Sequence, residues 1–332
     1  MKAIQIQRTG GPEVMELTEL PVPQPKSNEV VVKIKAAGVN FIDVYNREGR
    51  YKAPLPLIIG QEGAGTVIAI GSDAGSANQA TKDAVKFSIG DPVAYAGVLG
   101  SYAEYALVPA DRLVKIPAGV SERDAAAAML QGMTAHYLSH DTYPLKRGET
   151  ALIHAAAGGV GLLLVQMARN IGARVIATVS TEEKAKLARE AGADEIIYYM
   201  QSDFEADTKR LTDGKGVDVV YDSVGKTTFE KGLNVLRPRG MMALFGGSSG
   251  AVAPIDPIVL TEKGSLFLTR PSLGSYVMTS QELQARAEAV FGMIRHGKLR
   301  LRVAHTYPLA DAQQAHRDLE GRKTTGKLLL LT

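Results

Sequence analysis

The most constraining stretch of this chain is Leu152-Ile153-His154-Ala155-Ala156-Ala157-Gly158-Gly159-Val160-Gly161, which runs straight into Leu162-Leu163-Leu164-Val165. An apolar strand over 150–154 enters a small-residue turn, and a helix over 159–171 leaves it. Residues 156–161 fit the GxGxxG frame, except that Ala156 stands at the first glycine. Gly158 lets backbone approach a pyrophosphate closely, and Gly161 lets helix and strand pack tightly. The new helix points free N–H groups at any anion seated there. A plain strand-to-helix turn has the same local look, so the context decides. Ala151 to Ala168 holds one ionisable residue, His154, and is nominally long enough to span a bilayer. Gly158, Gly159 and Gly161 interrupt it, which favours strand, turn and helix over a membrane span.

That context is a regular alternation. Further strands are expected at 173–179, 195–199, 217–221, 240–245 and 265–269. Helices are expected at 181–191, 203–212 and 226–236. Strands alternating with helices predict a parallel sheet covered on both faces, and six strands suit a doubly wound dinucleotide-binding fold. Residues 1–110 are written differently. Val30, Val31, Val32 and Ile34 form one apolar run and residues 65–70 another, punctuated by Gly and Pro. Ser121 with Asp124 marks a helix start. SDAGSANQATKD opens a polar surface loop over 72–88. At the far end, RHGKLRLRVAHTYPL reads as strand, ADAQQAHRDLEG as helix and GKLLLLT as a last strand. Lys298, Arg300 and Arg302 alternate with apolar residues as on a strand with one wet face. These segments rejoin the β-rich start. The expected division is a catalytic domain over 1–127 and 271–332, with a cofactor domain over 128–270 inserted.

Length and composition limit the alternatives. A chain of 332 residues suggests two domains, each with its own core. A net charge of +3 draws it to neither nucleic acid nor membrane. There is no cysteine, so disulfides and thiolate zinc sites are impossible, and a reducing, cytoplasmic setting is expected. His136 and His140 are four apart on a helix, but no third metal ligand is evident.

The strand over 173–179 ends at Val179-Ser180-Thr181, where NAD sites usually place a carboxylate for the ribose 2′-hydroxyl. Ser180 and Lys184 offer donors there instead, which argues for a 2′-phosphate and hence NADP. Ser180 with Glu183 also reads as a capping box. Glu182 and Glu183 fit this reading only if they point outward.

On these residues the sequence resembles the zinc-independent quinone oxidoreductases of the medium-chain dehydrogenase/reductase superfamily, the zeta-crystallin-like branch. The matching segments are GGPEVMEL (10–17), AAGVNFIDVYNREGRY (36–51), IIGQEGAGTV (58–67), HAAAGGVGLLLVQMA (154–168), VVYDSVG (219–225), ALFGGSSG (243–250) and LTRPSL (268–273). Zinc-dependent relatives carry a histidine ligand where this chain has Gln61. The resemblance implies a GroES-like β-rich catalytic domain beside a Rossmann domain, with NADPH in the cleft between them and a quinone at the nicotinamide. It implies that Asn40, Asp43, Tyr45 and Tyr51 line the active site. It gives Gly158, Gly159 and Val160 the pyrophosphate, and Ser180, Lys184, Tyr199 and Arg322 the 2′-phosphate. It puts Gln131 and Thr134 near the nicotinamide or its ribose, and Ser223, Phe245 and Gly246 at the carboxyl ends of later strands, where open α/β sheets bind ligands, with Asn40 also counted on the cofactor. The family often has Lys near Gln131. Without the resemblance, the tyrosines read as packing residues and Asn40 as a turn former. A homodimer is expected, with LFLTRPSL pairing edge to edge. Hydride transfer to a quinone is the leading reading. A reductase of activated double bonds and a low-turnover NADPH-binding protein, crystallin-like or RNA-binding, are the alternatives.

Overall fold

The computed structural model describes residues 1–72 and 85–332, and most of the loop expected over 72–88 lies outside the described residues. Two compact units divide the chain: Met1–Met133 with Tyr276–Gly297 and Leu301–Thr332, and Thr134–Ser275 with Lys298–Arg300.

The first unit opens with β1 (Lys2–Ile6), β2 (Glu16–Glu19), β3 (Glu29–Val39), α1 (Phe41–Arg47), β4 (Leu57–Ile58), β5 (Glu62–Ile70), β6 (Pro92–Ala96), β7 (Tyr105–Pro109) and β8 (Val114–Lys115). Helix α2 (Glu122–Tyr137) carries the chain out of it. Ser121 caps that helix as its sequence predicts, its Oγ accepting from the Asp124 N–H at 3.1 Å.

The second unit contains β9 (Thr150–Ile153), α3 (Gly159–Ile171), β10 (Arg174–Val179), α4 (Glu182–Ala191), β11 (Glu195–Tyr198), α5 (Phe204–Leu211), β12 (Val217–Asp222), α6 (Phe229–Asn234), β13 (Leu236–Leu244), α7 (Ile258–Glu262) and β14 (Phe267–Thr269). The chain then returns to the first unit through α8 (Ser280–Arg295), β15 (Val303–Pro308), α9 (Ala312–Glu320) and β16 (Lys327–Leu331).

In the first unit a sheet runs β15-β16-β3-β5-β6-β8, with β7 also paired to β3, and a smaller sheet runs β2-β1-β4. Val30, Val31 and Val32 are all buried because β3 is the long central strand and both its faces are covered. Its core includes Ile34, Val67, Val93, Leu328 and Leu330.

The second unit is one sheet in the order β11-β10-β9-β12-β13-β14. Every ladder in it is parallel. Leu152, Ile176, Val220 and Met242 form its buried centre, with Phe229 and Leu233 of α6 packed on them. Strand order reverses at β9, whose neighbours are β10 and β12. In such sheets the crevice beyond that strand's carboxyl end is where ligands bind. This is the α/β fold that the alternation of 150–269 implied.

Two local expectations change. Strand β13 starts at Leu236, inside the stretch read as helix. A register shift between Val217 and Val219 leaves Pro238 in a bulge of β13 outside the paired positions, as a residue without an N–H requires. The alternating Lys298–Arg302 stretch is not strand, and β15 begins only at Val303. Side chains of α3 take up its backbone instead. Asn170 Nδ2 donates to the Lys298 carbonyl at 2.8 Å, and the Gln166 amide brackets Arg300 at 3.1 and 2.8 Å.

Candidate active site and cofactor cradle

The turn after β9 closes on itself. Ala155 sits at φ 50°, and the Gly158 N–H donates to its carbonyl at 2.8 Å. A Cβ on Gly161 would lie 2.3 Å from that carbonyl oxygen and 2.8 Å from Ala156 Cα, so this position admits glycine alone. Gly158 is the N-cap of α3, and no side chain caps that end. The first N–H groups of α3 therefore have no earlier carbonyl and no side-chain acceptor. A dinucleotide pyrophosphate fits this cradle, because its oxygens supply the acceptors the turn lacks.

At the tip of β10, Lys184 Nζ donates to Ser180 Oγ at 3.2 Å. The cap of α4 is Thr181, not the Ser180 expected from sequence. Thr181 Oγ1 accepts the Lys184 N–H at 3.3 Å, since the helix starts one residue later. Ser180 is thereby left out of the cap. Glu182 turns to Arg189, at 2.8 Å, and to the Tyr198 hydroxyl, and those two donors hold its carboxyl below the usual range. Tyr199 follows β11, and its N–H donates to the Val179 carbonyl at 3.2 Å. Ser180 and Tyr199 thus follow the same ends of the adjacent strands β10 and β11. Tyr199 keeps 37% of its surface exposed. Ser223, Phe245 and Gly246 sit side by side at the ends of β12 and β13. Both the Phe245 and Gly246 N–H groups donate to the Asp222 carbonyl, at 2.8 and 3.2 Å. Thr134 is buried in α2. Arg322 belongs to the first unit, just past α9, with φ 56°.

In the first unit, Asn40 is the N-cap of α1 and its backbone N–H donates to Asp43 Oδ2 at 2.9 Å. Tyr102 donates its hydroxyl to the same oxygen at 3.0 Å, and Asp43 Oδ1 has no partner among the described residues. Burial raises the Asp43 carboxyl from 3.8 to about 7, against the lowering pull of those donors. His316 lies 3.1 Å from the Tyr102 hydroxyl through Nε2, and 2.9 Å from Arg47 through Nδ1. Arg47 is always a donor, so Nδ1 accepts and Nε2 carries the proton. Burial, then the Arg47 charge, lower His316 from 6.5 to about 3 and keep it neutral. Arg47 closes the chain with two bonds to Glu320, at 2.6 and 3.2 Å.

A second buried cluster adjoins Asn40. Its Nδ2 donates to Glu62 Oε2 at 2.8 Å and to the Gly38 carbonyl at 3.3 Å. Its Oδ1 accepts from Lys327 Nζ at 2.8 Å and from Gln131 Nε2 at 3.1 Å. Lys327 also pairs with Glu62, and the Leu130 N–H donates to Glu62 Oε1 at 2.6 Å. Nearby, Tyr45 is 8% exposed and Tyr51 48%, with ring centroids 6.0 Å apart and edge on face. The Arg50 guanidinium lies 4.9 Å from the Tyr45 ring centre.

Comparison with known proteins places this geometry. The family model for the alcohol dehydrogenase GroES-like domain matches residues 26–118, and that for zinc-binding dehydrogenases matches residues 159–290. A quinone oxidoreductase of Pseudomonas aeruginosa is 46% identical over 99% of both chains. The chain belongs to the quinone oxidoreductases of the medium-chain dehydrogenase/reductase superfamily. A Burkholderia 2-haloacrylate reductase is 42% identical, over 99% of this chain and 98% of that protein. The crystal structure of Escherichia coli quinone oxidoreductase complexed with NADPH superposes with a TM-score of 0.94, at 43% identity and with all of both chains covered.

Among the described residues no group of three or more His, Cys, Asp or Glu is placed to hold a metal ion. His136 and His140 stack at 4.2 Å, and His140 Nδ1 lies 3.0 Å from the His136 carbonyl. Sequence reading passed over Glu62, Lys327, Tyr102, Arg47 and His316. Glu62 lies inside the segment IIGQEGAGTV, and Lys327 heads the apolar run LLLL. A charged residue at the mouth of a fully apolar strand was the available signal. Its partner, hundreds of residues away, was not.

Proposed function

We propose that this chain reduces a quinone to a hydroquinone with NADPH. The Ser180–Lys184 pair carries the choice of NADPH, because it places donors at the strand tip where a carboxylate would repel a 2′-phosphate. Bound NADPH supplies the hydride from C4 of its dihydronicotinamide, and water supplies the proton that completes the hydroquinone. In this reading Gly158, Gly159 and Val160 hold the pyrophosphate, and Ser180, Lys184, Tyr199 and Arg322 hold the 2′-phosphate. Ser223, Phe245, Gly246, Thr134 and Gln131 orient the nicotinamide half. Tyr45 and Tyr51 offer hydroxyls to the quinone oxygen as it gains charge. Asn40 and Asp43 are too thoroughly enclosed to exchange protons with substrate, and they hold the start of α1 in place. Reduction makes the quinone ring aromatic, so positioning supplies most of the catalysis. The reading is metal-free, since the chain has no thiolate and carries Gln61 at the position of a zinc-ligand histidine.

The similarity to a 2-haloacrylate reductase favours a second reading, reduction of an activated carbon–carbon double bond by the same hydride. A homodimer in the cytoplasm belongs to the same proposal. Strand β14 ends the sheet with Phe267 57% exposed, an edge suited to pairing with a twin.

The deciding experiment follows NADPH oxidation with 1,4-benzoquinone and, separately, with 2-chloroacrylate. Fast oxidation with the quinone alone supports the first reading. Oxidation with chloroacrylate alone replaces it with the second.

A further inference from the structure

The buried pair Glu62–Lys327 has no part in the chemistry described above, yet it fixes the amide of Asn40 completely. Glu62 and the Gly38 carbonyl can only accept, and Lys327 can only donate. Asn40 must therefore point Nδ2 at Glu62 and Oδ1 at Lys327, and the reverse orientation would oppose like groups on both sides. All four of its hydrogen-bonding positions are then used. The fourth partner is Gln131 Nε2, at 3.1 Å. Because Asn40 Oδ1 only accepts, it forces the Gln131 amide nitrogen inward. The Gln131 Oε1 and second N–H have no partner among the described residues, and the side chain is half-buried. Backbone supports the same arrangement. Leu130, next to Gln131, donates its N–H to the other oxygen of Glu62. A Cβ at Gly38 would lie 2.1 Å from Glu62 Oε2 and 2.7 Å from Lys327 Nζ, so β3 is cut back to glycine where the pair lies against it.

We infer that Glu62 and Lys327 are positioning residues. Acting through Asn40, they set the orientation of the Gln131 amide, and Gln131 presents one acceptor and one donor to the nicotinamide carboxamide. The inference rests on the NADPH reading above. It assigns Asn40 the role of a relay rather than an oxyanion donor. A carboxamide facing an amide in fixed register can make two complementary hydrogen bonds, whereas an amide released from that register opposes like groups or leaves the carboxamide unheld.

The test is a double-mutant cycle. One arm removes the pair while leaving no buried net charge, Glu62→Gln with Lys327→Met. The other is Gln131→Ala, and the third protein combines them. Each is measured for kcat and KM with benzoquinone, for NADPH dissociation by nucleotide fluorescence, and for its melting temperature. Removing the pair should lower kcat by on the order of ten- to a hundredfold in folded protein, as misorientation does. The combined protein should be no slower than the slower of its two parents. Lys327→Arg, which keeps the charge, should recover part of the loss, and it replaces the pair-removed arm if that protein does not fold. Effects that multiply across the cycle would overturn the inference. So would an unchanged kcat in the pair-removed protein, or no effect of Gln131→Ala. If the wild type binds NADPH without reducing quinone, the quinone reading fails by itself. The cycle is then read on the NADPH dissociation constant, with the same two outcomes.

Discussion

In the second unit the polar contacts of the cradle are local: Lys184 reaches Ser180 four residues back, and Gly158 reaches Ala155. In the first unit Lys327 reaches Asn40 across 287 residues and Glu62 across 265. The cradle is backbone and solvent-facing side chains, so losing one contact exposes little that water cannot satisfy. The Asn40 cluster is enclosed charge, where a lost partner leaves an ion without compensation. On the proposed reading the cofactor is held by replaceable parts, whereas the neighbourhood of Asn40 is shaped by parts that cannot be removed singly.

Substitutions should break this contrast in order of size. Lys327→Met leaves the Glu62 carboxylate buried and unpaired, and should cost about 3–5 kcal/mol of unfolding free energy in a urea titration. A loss below about 1 kcal/mol would mean that the cluster is no more constrained than the cradle. The pH dependence is next. Asp43 holds its proton to about 7 in the folded chain but only to 3.8 when unfolded. The folded state then binds more protons between those values, so the Asp43 contribution to stability falls as pH rises from about 4 to 7, by at most about 1.4 kcal/mol per pH unit. His316 works the other way. Its folded value of about 3 lies below 6.5, so it costs stability as pH falls from about 6.5 towards 3. Asp43→Asn should therefore gain on the wild type steadily between pH 4 and 7 in parallel melts. A constant difference would remove Asp43 from the balance. The smallest effect belongs to the second unit. Thr181→Ala removes the cap of α4 and should cost about 1 kcal/mol, with NADPH affinity little changed. A loss comparable to that of Lys327→Met would erase the distinction between the two regions.

The same contrast explains what could be read from sequence. Strands and helices of the second unit follow from apolar periodicity and from Gly158 and Gly161, which are neighbours in the chain, so its α/β sheet was legible. The misreadings were of tertiary origin. Lys298–Arg302 alternates like a strand, yet Gln166 and Asn170 of α3 bind its backbone before a ladder can form. Ser180 looks like a cap, but α4 begins one residue later and Thr181 takes that duty. Asn40 and Gln131 were singled out through family resemblance. What holds them was invisible, because no local pattern ties Glu62 to Lys327. A buried lysine at the head of GKLLLLT acquires meaning only when β16 is laid against β3, where Leu328 pairs with Val39.

The most direct test of the account is the ratio of kcat/KM for NADPH over NADH with benzoquinone, in the wild type and in Ser180→Ala with Lys184→Ala. Charge-assisted contacts to a phosphate are worth about 1.5–3 kcal/mol. The wild type should prefer NADPH, and the variant should lose on the order of ten- to a hundredfold of that preference while its rate with NADH stays the same. An undiminished preference for NADPH in the variant, or a wild type that favours NADH, would contradict the assignment of the β10 tip as the 2′-phosphate site.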